Sequence, residues 1–186
     1  MLELNFNPFP VLETERLILR NFTMGDANDV FSYRGNIDAM KHISRPVQRS
    51  LEEAQSMIQK INDNQTANEA IGWAVTFKGS SKVIGSVSFH RIEKENYRAE
   101  LGYMIHPDYW RQGIIGEAVK ALLDYGFNEL NFHSIEAIID PENIASQKVL
   151  EKYNFVKEAH FKENYFFNGK FADSAVYSLL RSDYLK

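Results

Sequence analysis

Cysteine is absent from this chain of 186 residues, which removes disulfides, thiolate metal sites and any covalent intermediate on a cysteine sulfur. A basic excess is missing too. The 21 Lys and Arg against 25 Asp and Glu leave a formal charge of -4, and no cluster of cations interleaved with aromatics marks a nucleic-acid face. No apolar run is long enough to span a bilayer, so no membrane partner is expected. The opening MLELNFNPFP has an acidic residue and prolines where a signal peptide has a basic start and an apolar stretch. Neither an internal repeat nor a low-complexity linker interrupts the chain. The five histidines, at 42, 90, 106, 133 and 160, do not pair at ligand spacing on one helix, so no metal is expected. What remains is the composition of an ordinary globular protein, 44% hydrophobic and 25% charged. It is expected to form one cytoplasmic domain, residues 1–186 with a core from about 12 to 184. Monomer and homodimer both stay open.

The most informative stretch runs from Arg98 to Tyr125, RAELGYMIHPDYWRQGIIGEAVKALLDY. Leu101, Tyr103 and Ile105 alternate with Glu100, Gly102 and Met104, which predicts a strand ending at Pro107. Ile115, Ala118, Val119, Leu122, Leu123 and Leu130 then recur at helical spacing, so a helix is predicted to start close to Gly113. Between the two lies Arg111-Gln112-Gly113-Ile114-Ile115-Gly116. Glycines so spaced let the backbone approach a bulky anion, and the unpaired N–H groups of a first helical turn donate to phosphate oxygens. On spacing alone a plain tight turn is an equal reading. A Walker loop lacks its Gly-Lys-Ser/Thr, and a dinucleotide fingerprint lacks its third glycine.

Glu15 to Phe22 reads as a first strand, and Thr23 with Asp26 as a helix cap. A short helix follows, broken at Gly35-Asn36, and residues 36–49 read as a connection. Ser50-x-x-Glu53 predicts a capping box for a helix whose stripe is Leu51, Ala54, Met57, Ile58 and Ile61. Trp73 to Phe77 and Val83 to Arg91 form a hairpin around Gly79-Ser80-Ser81-Lys82. Ser134 to Asp140 is a strand separated from Arg98–Ile105 by a helix, which makes the two parallel neighbours with a gap able to admit a ligand. Pro141-Glu142-Asn143 opens a helix to about Tyr153, and Phe155–Phe167 and Phe171–Leu180 flank an Asn168-Gly169 hairpin turn. The expected fold is α+β: a mixed, mostly antiparallel twisted sheet with helices on both faces.

Three segments, ETERLILR, ELGYMIHPDYWRQGIIGEA and NIASQKVLEKYNF, resemble the GNAT N-acetyltransferase superfamily, with Arg111-Gln112-Gly113-x-x-Gly116 similar to its acetyl-coenzyme A loop (Q/R-x-x-G-x-G/A). Within it the chain resembles the RimJ/RimL-like ribosomal-protein alanine N-acetyltransferases, over roughly Leu12 to Tyr184. The resemblance implies a GNAT-type fold with the parallel strand pair splayed around acetyl-CoA. It also implies transfer of an acetyl group from acetyl-CoA to a primary amine by direct attack in a ternary complex, with a protein N-terminus as the acceptor; a small amine such as a polyamine, or a non-catalytic coenzyme-binding module, is the alternative. It implies that Gln112, Gly113, Ile115 and Gly116 offer N–H groups to the pyrophosphate, that Arg111 adds charge and that Asn143 contacts the pantetheine arm. A backbone donor near Met104 and Ile105 would polarise the thioester carbonyl at a strand bulge.

Glu100 is the candidate base for the amine; an exposed glutamate paired with Arg98 or Lys94 is the plain alternative. Asn143 and Ser146 also suit simple helix capping. The usual tyrosine acid position is Leu150 here, so Ser146 is the candidate acid, ahead of Tyr153, with water as a further source. Asp173 matches an acidic position of the RimJ/RimL-like group and equally suits a hairpin surface charge.

Overall fold

The computed structural model describes all 186 residues, Met1–Lys186. Eight strands are β1 (Leu12–Glu13), β2 (Leu17–Arg20), β3 (Ile71–Phe77), β4 (Val83–Glu93), β5 (Arg98–Ile105), β6 (Ser134–Ile139), β7 (Val156–Phe167) and β8 (Lys170–Leu180). They form one sheet in the order β1-β2-β3-β4-β5-β6-β8-β7, as expected mixed and mostly antiparallel. The single parallel contact is β5 with β6, the strand–helix–strand unit expected from the sequence. The helices are α1 (Ala27–Arg34), α2 (Ile37–Met40), α3 (Leu51–Thr66), α4 (Ile114–Asn128), α5 (Ile144–Lys152) and α6 (Arg181–Tyr184).

The two faces of the sheet bury different helices because strand side chains alternate. Leu101 of β5 and Val75 of β3 join α4 and α5 in the larger core, whereas Met104 and Ala74 join α1 and α3 in the smaller one. Trp73 is the hub of the larger core. Its ring is edge-on to Phe9, Phe89 and Tyr125, and its Nε1 donates to Pro10 O at 2.7 Å, so a fully buried indole is also polar-satisfied. The hairpin turn is as predicted: Asn168 and Gly169 take φ of 51° and 80°, which matches the twist of the flanking strands.

Three local expectations are corrected. The core extends to the N-terminus, since Leu2 and Phe6 are buried in it. Ser50 caps α3 without a side-chain bond, because Glu53 reaches one residue further back and accepts from Arg49 N at 2.9 Å. The 36–49 connection contains a helical turn, α2, since the Asn36 side chain accepts from Asp38 N and Ala39 N.

What positions the site is the divergence of two ladders. β5 and β6 pair only at Arg98/Ser134, Ala99/Ile135 and Glu100/Glu136. Beyond Glu100, β5 stays with β4 as far as Ile105 opposite Gly85, while β6 stays with β8 as far as Ile139 opposite Ala175. The sheet therefore opens into a V with Glu100 at its apex.

Candidate active site

On the α4 side of the V lies the loop. Trp110 N and Tyr109 N donate to Pro107 O and His106 O, and the next bonded amide is Glu117 N, which donates to Gly113 O. The N–H groups from Arg111 to Gly116 have no acceptor within the protein. Arg111 and Gly113 both take left-handed φ, 60° and 74°, and such alternation curls successive amides into an anion-binding concavity at the N-terminus of α4. The second glycine falls three residues after the first, so Ile115 stands where the motif has its small residue.

Residues far away in sequence hold this loop. Arg16 Nη1 donates to Gln112 O at 3.1 Å and its Nε to Glu117 Oε2 at 2.6 Å, while Arg16 N and Thr14 Oγ1 donate to Glu117 Oε1. Burial alone would raise the Glu117 pKa, but these bonds outweigh it and hold the carboxyl below its usual value. Lys152 Nζ comes within 3.6 Å of where a Cβ on Gly116 would stand, placing a cation beside the loop. Sequence reasoning missed both cations. Arg16 lies within the ETERLILR segment that carried the resemblance, and Lys152 in the last turn of a predicted helix.

At the apex, Glu100 is 7% exposed. Its partners are neither Arg98, which pairs with Glu136, nor Lys94. Arg91 Nη1 donates to Glu100 Oε2 at 2.7 Å, and His90 Nε2 lies 3.1 Å from Oε1. Adjacent residues of a regular strand face opposite ways; here the β4–β5 register shifts just after His90 and Arg91 takes φ of 46°, so both side chains reach one carboxylate.

That register shift also corrects the expected bulge near Met104, where the β4–β5 ladder is regular. His106 N donates to Ile84 O, and alternation along the ladder then turns the N–H of Met104 toward Ser86 of β4 and those of Tyr103 and Ile105 toward the gap. Met104 instead puts its side chain into the smaller core.

Across the gap, Ser146 is buried and its Oγ lies 2.6 Å from the Tyr103 hydroxyl. Burial pushes the Tyr103 pKa up to about 12, against a smaller opposing effect of the Ser146 hydrogen bond. Asn143 caps α5, its Oδ1 accepting from Ser146 N at 3.0 Å, and Leu150 is in the core. Tyr153 donates its hydroxyl proton to Gly116 O at 2.6 Å, which ties α5 to α4.

The other mouth of the V is arched over by the 36–49 connection. His42 Nδ1 lies 2.7 Å from Asp140 Oδ2 at the end of β6, and Tyr165 of β7 donates to Ser44 O. Asp173 is engaged within the hairpin, beside His160 Nε2 at 2.7 Å and accepting from Glu163 N. Arg34 has a buried Nε without an acceptor, and burial lowers its pKa, with the charge of Arg45 acting the same way.

A sheet split around a parallel pair, with free amides at the head of the central helix, defines an acyl-coenzyme A transferase fold. Residues 16–156 match the family described as "Acetyltransferase (GNAT) domain". The chain is 36% identical to the uncharacterised N-acetyltransferase p20 of Bacillus licheniformis over 93% of its length and 97% of that protein. It is 34% identical to the uncharacterised N-acetyltransferase YoaA of Bacillus subtilis over 93% and 98%. A spermidine N(1)-acetyltransferase of Vibrio cholerae is 28% identical over 91% and 96%. The crystal structure of an acetyltransferase (GNAT family) from Bacillus anthracis superposes with a TM-score of 0.83 at 29% identity, covering 93% of this chain and 99% of that one. RimL, the ribosomal L7/L12 α-N-protein acetyltransferase, in complex with coenzyme A has the same fold, with a TM-score of 0.81 at 20% identity over 92% and 98%. The chain belongs to the GNAT family and is an N-acetyltransferase.

Proposed function

We propose that the protein is a cytoplasmic enzyme that moves the acetyl group of acetyl-CoA onto the N-terminal amine of a protein. The observation that carries the coenzyme half is the unbroken run of free amides from Arg111 to Gly116. Gln112, Gly113, Ile115 and Gly116 offer those amides to the pyrophosphate, with the side chains of Arg111 and Lys152 adding charge. Ile105 presents its N–H to the thioester carbonyl, and Asn143 and Ser146 line the pantetheine arm. When bound, the thioester supplies an activated acyl carbon. Glu100 is the carboxylate on which removal of the amine proton depends, and Ser146 beside Tyr103 returns one to the leaving thiolate.

For the acceptor, the charge around the V supports a peptide over a polyamine. A polycation needs free carboxylates, yet Glu100, Asp140, Glu136 and Asp173 each lie against a cation or histidine. Arg34 and Arg45, by contrast, are within ion-pair distance of no carboxylate. The test is incubation with acetyl-CoA and a peptide bearing a free N-terminal alanine and one internal lysine, alongside spermidine. Fragment mass spectrometry is expected to place the acetyl group on the alanine. Acetylation of spermidine alone would overturn the peptide reading, and no transfer to either amine, with coenzyme A still stabilising the fold, would overturn N-terminal acetylation as the function.

A further inference from the structure

Gly102, the glycine of ELGY, has no side chain, and an imidazole uses the space. A Cβ at Gly102 would lie 2.8 Å from His90 Cε1, 3.2 Å from His90 Nδ1 and 3.1 Å from Ser88 Oγ. The His90 side chain is therefore packed over Gly102, on the same face of β5 as Glu100. Its side chain is 39% exposed, against 9% for that of Glu100. Glu100 faces the ring's far nitrogen, with Nε2 3.1 Å from Oε1, and its other oxygen is taken by Arg91 at 2.7 Å. The imidazole is thus the more accessible of the two groups.

An imidazole beside a buried carboxylate is a form of base suited to proton removal near neutral pH.

On the acetyl-transfer reading above, we propose that His90 is the base that receives the proton of the acceptor amine, and that Glu100 is its positioning residue. The acceptor reaches the imidazole as a neutral amine. As the nitrogen lone pair forms the C–N bond with the thioester carbon, one N–H proton passes to the imidazole, and the Glu100 carboxylate 3.1 Å from Nε2 offsets the charge of the imidazolium. The C–S bond then breaks, the thiolate takes a proton from the Ser146 side of the gap, and solvent removes the proton from His90 and restores that of Ser146. Amine and thioester become amide and thiol with no other reactant. Arg91 fits this scheme, since it keeps the second carboxylate oxygen engaged. The β4 bulge fits it as well, since without it His90 and Arg91 would face opposite sides of the sheet.

The test compares His90→Gln, His90→Ala and Glu100→Gln with the unaltered protein, using the acceptor that the peptide and spermidine assay identifies. His90→Gln keeps a polar side chain of similar length without a basic nitrogen and is expected to lower kcat about 100-fold with the acetyl-CoA KM within about twofold. In His90→Ala, added imidazole is expected to restore part of the lost turnover, which a merely structural role for the ring would not allow. If His90→Gln retains turnover within about threefold while Glu100→Gln loses it, Glu100 is itself the base and the proposal is overturned. Loss of turnover in His90→Ala that imidazole does not restore also overturns it. Should the unaltered protein acetylate no amine while coenzyme A still raises its melting temperature, the acetyl-transfer reading fails first and this proposal with it.

Discussion

Arg16→Met removes the link between the β1–β2 corner and the loop at the head of α4. The guanidinium makes a 2.6 Å charge-assisted bond to Glu117 and a 3.1 Å bond to Gln112 O. A buried charged bond of that kind is worth about 1.5–3 kcal/mol and a neutral one about 1. The Arg16 side chain is 43% exposed and that of Glu117 19%, so solvent screening brings the combined loss to roughly 1.5 kcal/mol. In a protein of this length that lowers the melting temperature by about 3–6 °C. The variant also leaves Glu117 without its cation one turn from the loop, which opposes an incoming pyrophosphate. The acetyl-CoA KM is therefore expected to rise about tenfold, equivalent to about 1.4 kcal/mol, with kcat little changed. Arg16→Met/Glu117→Gln is expected to recover part of that KM, because the uncompensated carboxylate is gone. The pH dependence has a definite sign. Glu117 has a lowered folded pKa, so its contribution is complete above the unfolded glutamate value of about 4.3 and is lost as pH falls through the folded value. The melting difference between wild type and Arg16→Met should be full at neutral pH and shrink below about pH 4. Thermal melts across pH with steady-state kinetics measure both. Equal melting temperatures at neutral pH together with an unchanged KM would refute the clamp.

Tyr103→Phe removes the hydroxyl 2.6 Å from Ser146 Oγ and is expected to cost about 1 kcal/mol of stability and about tenfold in kcat, with the acetyl-CoA KM unchanged; unchanged kcat would remove Tyr103 from the proton path. Gly126→Ala should be destabilising by about 1–3 kcal/mol, although a helical glycine ordinarily gains from alanine. A Cβ there would stand 2.8 Å from Phe89 Cζ and 3.1 Å from Ile135 Cδ1, and a raised melting temperature would show that α4 shifts to accommodate it. Asp26→Asn strips a 6% exposed carboxylate of its charge while Arg20 holds it through two 2.8 Å bonds. Denaturant unfolding should show a loss of about 3 kcal/mol at neutral pH. Burial alone would raise the Asp26 pKa, but Arg20 and Thr23 hold it low, so that loss should diminish as pH falls below about 4.

Elements whose periodicity comes from one buried face were legible in the chain alone. The strand from Arg98 to Ile105 lies where alternation put it, and α3 presents Ala54 and Ile58 to the core as its stripe required. The parallel neighbour of that strand was legible as well, because a helical crossover leaves a chain of this kind few other places to go. Features set by cross-strand register were not. His90 meets Glu100 because the two are partners in the β4–β5 ladder, and Arg91 meets it because of a bulge that no residue type announces. Glutamate with a neighbouring arginine in sequence suggested an Arg98 pair, whereas Arg98 sits opposite Ser134 and reaches Glu136. Four of the five histidines lie beside carboxylates from elsewhere in the fold or chain, and distance in sequence hid all but the His106–Asp108 pair.

The three segments that stood apart in the sequence turn out to need one another. ETERLILR supplies Arg16, which pins Gln112 and neutralises Glu117, so the loop's amides face outward without an acid beside them. ELGY supplies the apex carboxylate in Glu100 and the empty space of Gly102 on one face of the sheet, and the hydroxyl of Tyr103 on the other. NIAS closes the gap from the far wall, where Asn143 holds the first turn of α5 so that Ser146 meets Tyr103. The Arg16 and Tyr103 contacts cross from one element to another, so a change in either segment is felt at the V and not only locally. The fold places Glu100, Ser146 and the free loop amides on different strands and helices, and the divergence of β5 from β6 sets them around one opening.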